Sequence, residues 1–507
     1  MRDITVGIIG GGACGVAVLA ELMVQLKIAD KHKTTKILLI EKRKELGQGL
    51  AFSTDQPGHL LNTQADLMGI HSFEPNHFSL WLKKHGEEIK SEVKGGNPID
   101  ESYTTRRLYG DYIKEQGKHY LQEAKEIGLE VTIVHDEAID LISENDRWLI
   151  KFTSGPAKKV DHVILAPGTP KPTDFSEFDE LNSYFGFPWP SEPIINGIPK
   201  DAEVCVLGSS LSAIDTIMTL TDSGNHGKIR LFSLDGLLPR VQPKDESSYQ
   251  REFLTLSRIH QIRRTAWRQP KIKELFRLFQ QEVENYAGHS IDWKNTRRKG
   301  IPADRLLEED IRIAKTGGDA FINILYDLRY ESSQIWDWLS ISEKQRFKQW
   351  HGAYWTVTRH AMPLVNAERL SGLFKSGRLE VNSPMHQVRY DRDKEKFVFE
   401  YGNGQRHEGA YLINATGPAT KIEKMRSTLM QNLLKSGVVE DYPVGGILVD
   451  PDQMEVISQK NPHKNLYAVG HICNGILLDV NAVWFNVRCI AKLCKHITKK
   501  IQHGGSS

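Results

Sequence analysis

The residues with the most specific chemical signature lie at the amino terminus, in the run Gly10-Gly11-Gly12-Ala13-Cys14-Gly15. Gly10, Gly12 and Gly15 occupy the positions of a G-x-G-x-x-G turn. The first glycine permits a tight turn and the second lets the backbone approach a pyrophosphate. The third lets helix and strand pack closely, while the helix amino terminus offers free N–H groups to phosphate oxygens. Ala13 and Cys14 lie within the turn, Cys14 as a small filler. Glu41, 26 positions after Gly15, is the acid expected to accept hydrogen bonds from a ribose, with Lys42 beside it.

A second, looser turn is Gly208-Ser209-Ser210-Leu211-Ser212-Ala213. Gly208 keeps the bend, and Ser210 and Ala213 stand where the other glycines would be. Small residues still allow close approach, and the hydroxyls of Ser209, Ser210 and Ser212 can bond phosphate.

Both turns need a buried strand before them and a helix after them, and the sequence supplies both. Ile4–Ile9 reads as a strand, Val16–Leu26 as a helix and Lys36–Ile40 as the next strand. Val204–Leu207, Ile214–Leu220 and Lys228–Ser233 repeat that order. The echo continues downstream: Leu129-Glu130-Val131 opens alternating strands that close at Gly168, and Leu379-Glu380-Val381 opens others that close at Gly417. The two stretches span 39 and 38 positions. The fold class predicted is α/β, with two Rossmann-like dinucleotide-binding domains and a helical insertion. The predicted boundaries are 1–195 for the first domain, 196–242 with 352–418 for the second, and 243–351 for the insertion. Residues 419–507 return to the first domain through Asn465–His471, bringing Gly470 to the cofactor. Two such folds on one chain suggest a relay from NADH or NADPH to FAD, with the flavin in the amino-terminal fold.

Composition narrows the field. At about 150 residues per domain, 507 residues suit several domains. Sixty-six Lys and Arg against 64 Asp and Glu leave a charge of +2, without the basic excess of a nucleic-acid binder. The five cysteines form no C-x-x-C pair, so neither a zinc ribbon nor a dithiol redox centre is expected, and no metal. No apolar run approaches the ~20 residues needed to span a bilayer. The expectation is a cytoplasmic protein without membrane or nucleic-acid partners; oligomeric state is left open.

Four further segments carry a family resemblance: Gly47-Gln48-Gly49-Leu50-Ala51-Phe52-Ser53, His59-Leu60-Leu61-Asn62, Arg107-Leu108-Tyr109-Gly110-Asp111-Tyr112 and Trp355–Pro363. With the amino-terminal turn, they resemble the bacterial FAD/NAD(P)-binding flavoproteins that include a nitrosuccinate-forming aspartate N-monooxygenase and an FAD-dependent urate hydroxylase. The resemblance covers nearly the whole chain. It implies FAD, a reduced nicotinamide and oxygen, and a monooxygenase that hydroxylates a small polar metabolite through a peroxyflavin, with N-hydroxylation of an amine or amino acid foremost.

Within these motifs Gln48, Gly49 and Asn62 are expected to contact flavin, with Gly168 and Gly470 closing the cofactor site. Arg107, Trp355, Arg359 and His360 are the substrate candidates, the arginines as carboxylate clamps. The chain departs from the family in two places. Leu234-Asp235 stands where many members carry a basic pair, and Asp235 suits the free ribose of NADH unless Arg230 or Arg240 substitutes. Leu478-Asp479-Val480 replaces an acidic, proline-bearing segment. The alternatives are a flavin dehydrogenase or reductase with another acceptor, distinguished by slow reoxidation in air, and a nucleotide-binding sensor, distinguished by failure to take up FAD.

Overall fold

The computed structural model describes residues 3–95, 99–244 and 248–503; the predicted frayed end at 504–507 lies outside the described residues. The chain begins with β1 (Ile4–Ile9), α1 (Ala13–Ile28) and β2 (Thr35–Ile40), then α2 (Arg106–Ile127), β3 (Glu130–Val134) and β4 (His162–Leu165). A second run follows: β5 (Tyr184–Phe185), β6 (Val204–Leu207), α3 (Leu211–Asp222), β7 (Ile229–Phe232), α4 (Gly352–Arg359), β8 (Leu379–Asn382) and β9 (Tyr411–Asn414). The chain ends with β10 (Leu466–Ala468) and α5 (Val483–His503).

Two parallel five-stranded sheets result, ordered β10-β4-β1-β2-β3 and β5-β9-β6-β7-β8. Strands covered on both faces read as unbroken apolar runs, as in Val204-Cys205-Val206-Leu207, where every residue is buried. Val6, Ile8, Leu39 and Ile164 pack with Leu19 and Leu22 of α1 and Leu493 of α5 in one core. Val206, Ile217, Leu231 and Ile413 centre the other. The downstream echo is a three-stranded antiparallel sheet in each unit, Ala138–Val160 before β4 and Met385–Gly409 before β9.

The sheets agree to the hydrogen bond at their first turns. Gly10 N donates to Ile40 O at 2.9 Å and Ala166 N to Ile9 O at 2.8 Å. In the second unit Gly208 N donates to Phe232 O at 2.8 Å and Ala415 N to Leu207 O at 2.9 Å. The helices begin earlier than the stretches read from sequence because the turn residues already enter the first helical turn. The two-residue strand β5 pairs with β9, so the chain crosses to the second sheet before residue 195.

Helices from Leu256 to Arg359 form the insertion, which continues past 351. Its core includes Ile259, Val283, Ile324 and Trp336, together with Tyr442 and Val444 from the carboxy-terminal stretch. Trp336 Nε1 donates to Gly475 O at 2.9 Å and Lys348 Nζ to Val444 O at 2.6 Å. The insertion thus leaves the second unit and packs against the returning segment of the first. Among the described residues no helix is long and apolar enough to cross a membrane.

Candidate functional site: two dinucleotide turns

Each glycine of the first turn meets a different constraint. Gly10 has φ +110°, and a Cβ there would collide with the Ala166 carbonyl oxygen; one at Gly15 would collide with Gly10 O. Those two positions build the turn. Gly12 differs: within 4 Å an added Cβ would meet only backbone of Gly49, the nearest atom at 3.5 Å, and one on Gly49 would meet only Gly12 Cα at 3.5 Å. Two bare backbone segments therefore face each other above the start of α1. No side chain caps that helix and its first turn holds no acid. A cradle of glycine backbone and uncapped N–H groups fits a dinucleotide pyrophosphate.

Glu41 is buried and accepts from Gly11 N at 2.8 Å and from Arg43 N at 2.9 Å. It braces the turn while each carboxylate oxygen keeps a further lone pair for a ribose. Lys42 points away and pairs with Glu137 at 2.9 Å. Its neighbour Arg43 turns inward, donating to Gly49 O and to Ser53 Oγ at 2.9 Å. Arg43 is an addition to the expected contacts, and its only signal in the sequence is a second cation after the acid. Gln48 is half-buried next to Gly110. Gly470 lies over the turn, where its Cβ would be 3.6 Å from Cys14 Sγ, and Gly168 is open on its outer side. Burial pushes the Cys14 thiol up to about 11, so it stays protonated and acts as a filler.

The second turn is built alike. Gly208 has φ +104°, and a Cβ there would lie 2.6 Å from Ala415 O. Ser210 caps α3 by backbone position, without a side-chain cap bond and with no acid in the first turn. Ser212 is half-buried beside Gly417. Ser209 spends its hydroxyl on Leu237 O at 2.7 Å. Asp235 forms an ion pair with Lys299 of the insertion. Neither arginine considered as a substitute is available. Arg230 is shared by Glu203 at 3.0 Å and Glu380 at 2.6 Å, and Arg240 is buried between Asp310 at 3.1 Å and Asp319 at 2.7 Å.

The His59–Asn62 motif joins the two units. His59 Nε2 lies 2.9 Å from both Asp215 O and Thr219 Oγ on α3, and Asn62 O accepts from Gln242. Arg106 pairs with Asp215 at 2.8 Å. Arg107 stays on the first unit with Glu92 and Asp111, its side chain 41% exposed.

Trp355, Arg359 and His360 come together on and just after α4. The Arg359 guanidinium lies 5.9 Å from the Trp355 ring and 5.7 Å from that of Tyr326. It faces Asp479 at 3.7 Å, and its buried Nε has no acceptor. Asp479, in the same carboxy-terminal segment as Gly470, also accepts from Ser332 Oγ at 2.7 Å. Burial first, then the Arg359 charge, holds His360 below the usual imidazole range, so it is neutral near pH 7.

Burial pushes His71 and His162 down to about 4 as well. Between about pH 6.5 and 4 the unfolded chain therefore binds more protons at these histidines than the folded one. Thermal unfolding midpoints should fall steadily as pH drops from 7 to 5, and a flat curve over that range contradicts these assignments.

Among the described residues one group of metal-capable side chains comes together, Glu203, Cys205 and His407. It lies at the amino end of β6, away from the turn, and Glu203 is already engaged by Arg230 and, at 2.6 Å, by His407.

Residues 7–170 match the model of an FAD-NAD(P)-binding family. That match runs from β1 to just past β4, the body of the first unit. No curated protein matches the chain. Among solved structures it is similar to the ornithine hydroxylase PvdA of Pseudomonas aeruginosa, at 12% identity over 99% of this chain and 100% of that one, with TM-score 0.60. It is also similar to the ornithine N-hydroxylase KtzI of Kutzneria sp. 744, described with FADred, NADP+ and L-orn, at 14% identity over 99% and 100% and TM-score 0.58. A third is DfoA of Erwinia amylovora, a cadaverine monooxygenase of desferrioxamine biosynthesis bound to FAD, at 10% identity over 98% and 95% and TM-score 0.56. At such identities the common property is the fold, and it extends over nearly the whole chain. The chain thus shares its architecture with these proteins from end to end, and the stretch matched by the family model lies in its first unit. None of these three is described as acting on aspartate or urate.

Proposed function

We propose that this chain is an FAD-dependent, NAD(P)H-driven monooxygenase that hydroxylates a small polar metabolite at an amine or amino-acid nitrogen. The observation that carries the reading is the pair of matched dinucleotide turns held together by His59, Arg106 and Gln242, with the insertion closing Arg359 onto the returning segment of the first unit. The likeness in fold to proteins described as ornithine hydroxylases and a cadaverine monooxygenase supports it.

In this reading the backbone of Gly10, Gly12, Ala13, Cys14 and Gly15 holds the FAD pyrophosphate, and Glu41 holds its ribose. Gln48, Gly49, Gly168 and Gly470 line the remainder, and Arg43 fixes the loop that carries Gly49. Asn62 serves through its backbone, which ties the first unit to the second. Gly208, Ser210 and Ser212 receive the nicotinamide dinucleotide, with Ser209 bracing the loop above. The bound flavin supplies two-electron chemistry with oxygen. Arg359, buried and short of acceptors, receives an anionic group of the substrate, and Trp355 and Tyr326 flank it. His360 is neutral there, so it can exchange hydrogen bonds without adding charge. Arg107, engaged on the surface by Glu92 and Asp111, takes no part in holding the substrate.

Assays of the FAD-loaded protein with NADPH or NADH under air, across a panel of amines and amino acids, test this directly. One compound should accelerate nicotinamide and oxygen consumption together and yield a hydroxylated nitrogen in near-equal amount. Hydrogen peroxide as the sole product with every compound contradicts it.

A further inference from the structure

An acid near the end of the strand after a dinucleotide turn reads the adenosine ribose, and an acid acting alone selects the free 2′-hydroxyl. Asp235, three residues beyond β7, is such an acid, but it does not act alone. Its carboxylate pairs with the ammonium of Lys299. That lysine lies outside the dinucleotide-binding unit, in the insertion between the helices Ile272–Ala287 and Ala303–Lys315.

Neighbouring contacts hold Lys299 in place. Arg298, next to it, pairs with Asp310; Asp310 also accepts from Arg240, and Arg240 bonds Asp319 at 2.7 Å. Arg240 and Asp310 are 4% and 3% exposed, so these charges are out of water and each depends on its partners. Since Arg240 lies in the stretch that follows Asp235, the network anchors the insertion to the loop bearing the acid. The loop is braced from its other side, where Ser233 Oγ accepts from Gly236 N at 3.0 Å and Ser209 Oγ bonds Leu237 O. A chain of buried contacts thus sets the lysine beside the acid and the loop beside the turn. The pair itself faces solvent, with side chains 47% and 34% exposed, and the Tyr354 ring lies 5.8 Å from the ammonium.

We infer that the Asp235–Lys299 pair reads the 2′ position of the nicotinamide dinucleotide and selects the 2′-phosphorylated form. This rests on the second turn being the nicotinamide site, as proposed above. The chemistry runs against the expectation from Asp235 alone. An ammonium has three donors, and pairing with one carboxylate leaves others for phosphate oxygens. The lysine also cancels the acid's charge, so the repulsion that would exclude a 2′-phosphate is offset. A carboxylate engaged by lysine is a poorer acceptor for a ribose diol. Coenzyme choice is thereby assigned to a residue of the insertion, where no pattern local to the dinucleotide unit reveals it.

Calorimetric titration of the FAD-loaded full chain with 2′,5′-ADP and with 5′-AMP, at low ionic strength, reads the 2′ position without turnover. Wild type should bind 2′,5′-ADP about tenfold or more tighter. Lys299→Ala should bring the two affinities together, Lys299→Arg should keep the preference, and Asp235→Asn should strengthen it by freeing the ammonium. Lys294→Ala, a nearby exposed lysine, should behave as wild type. Equal affinities in wild type, or a preference that survives Lys299→Ala, overturn the inference while leaving the second site intact. Failure of both nucleotides to bind overturns it together with the nicotinamide site. Failure of hydroxylation alone, with the 2′,5′-ADP preference present, counts against the monooxygenase reading instead.

Discussion

Gly12→Ala is expected to leave a folded protein that has lost most of its grip on FAD. The added methyl would meet only Gly49 backbone, at no less than 3.5 Å, an ordinary contact, so the turn can stand as it is. The methyl would nevertheless occupy the space between two bare backbone segments, where a pyrophosphate must come against the N–H groups of α1. A loss of about a hundredfold in FAD affinity, about 2.7 kcal/mol, is the expected scale. Gly10→Ala should fail earlier, in folding, because φ +110° and the Ala166 carbonyl both exclude a side chain. Flavin titration of the refolded apoproteins, beside their circular dichroism, separates the two. Wild-type FAD affinity in Gly12→Ala would contradict the placement of the pyrophosphate.

The second large effect is expected from Gly208→Ala, with the opposite division of symptoms. A Cβ at Gly208 would lie 2.6 Å from Ala415 O, at a φ of +104°, so the second turn must shift. The first unit has its own sheet and core and should keep its flavin. Reduction of that flavin by NADPH or NADH should slow about a hundredfold, roughly 2.7 kcal/mol in barrier, while dithionite reduces it normally. Rapid reduction by nicotinamide in a folded Gly208→Ala protein would mean that hydride enters elsewhere.

Much of this arrangement was legible in the residues because its requirements are local. Parallel strands buried on both faces must be apolar throughout, and a turn with φ above +100° beside a carbonyl admits only glycine. Hence Ile4–Ile9, Val204–Leu207 and both turns could be read, as could the matched lengths that end at Gly168 and Gly417. Choice of partner was not legible, because it depends on residues far away in the chain. Asp235 read as a free acid until Lys299 stood beside it, and Arg359 as a free clamp until Asp479 faced it. Lys42 and Arg43 are adjacent cations, and only tertiary packing decides which turns toward Gly49. Tyr184–Phe185 is too short to reveal its sheet; its pairing with Leu412 and Ile413 places it.

The relay between two dinucleotide sites is tested most directly by anaerobic mixing of the FAD-loaded protein with NADPH and, separately, NADH while flavin absorbance is followed. The flavin should bleach with both and faster with NADPH, and admitting air should restore the absorbance. A flavin that stays oxidised with both coenzymes, with and without the amine panel, would contradict the relay.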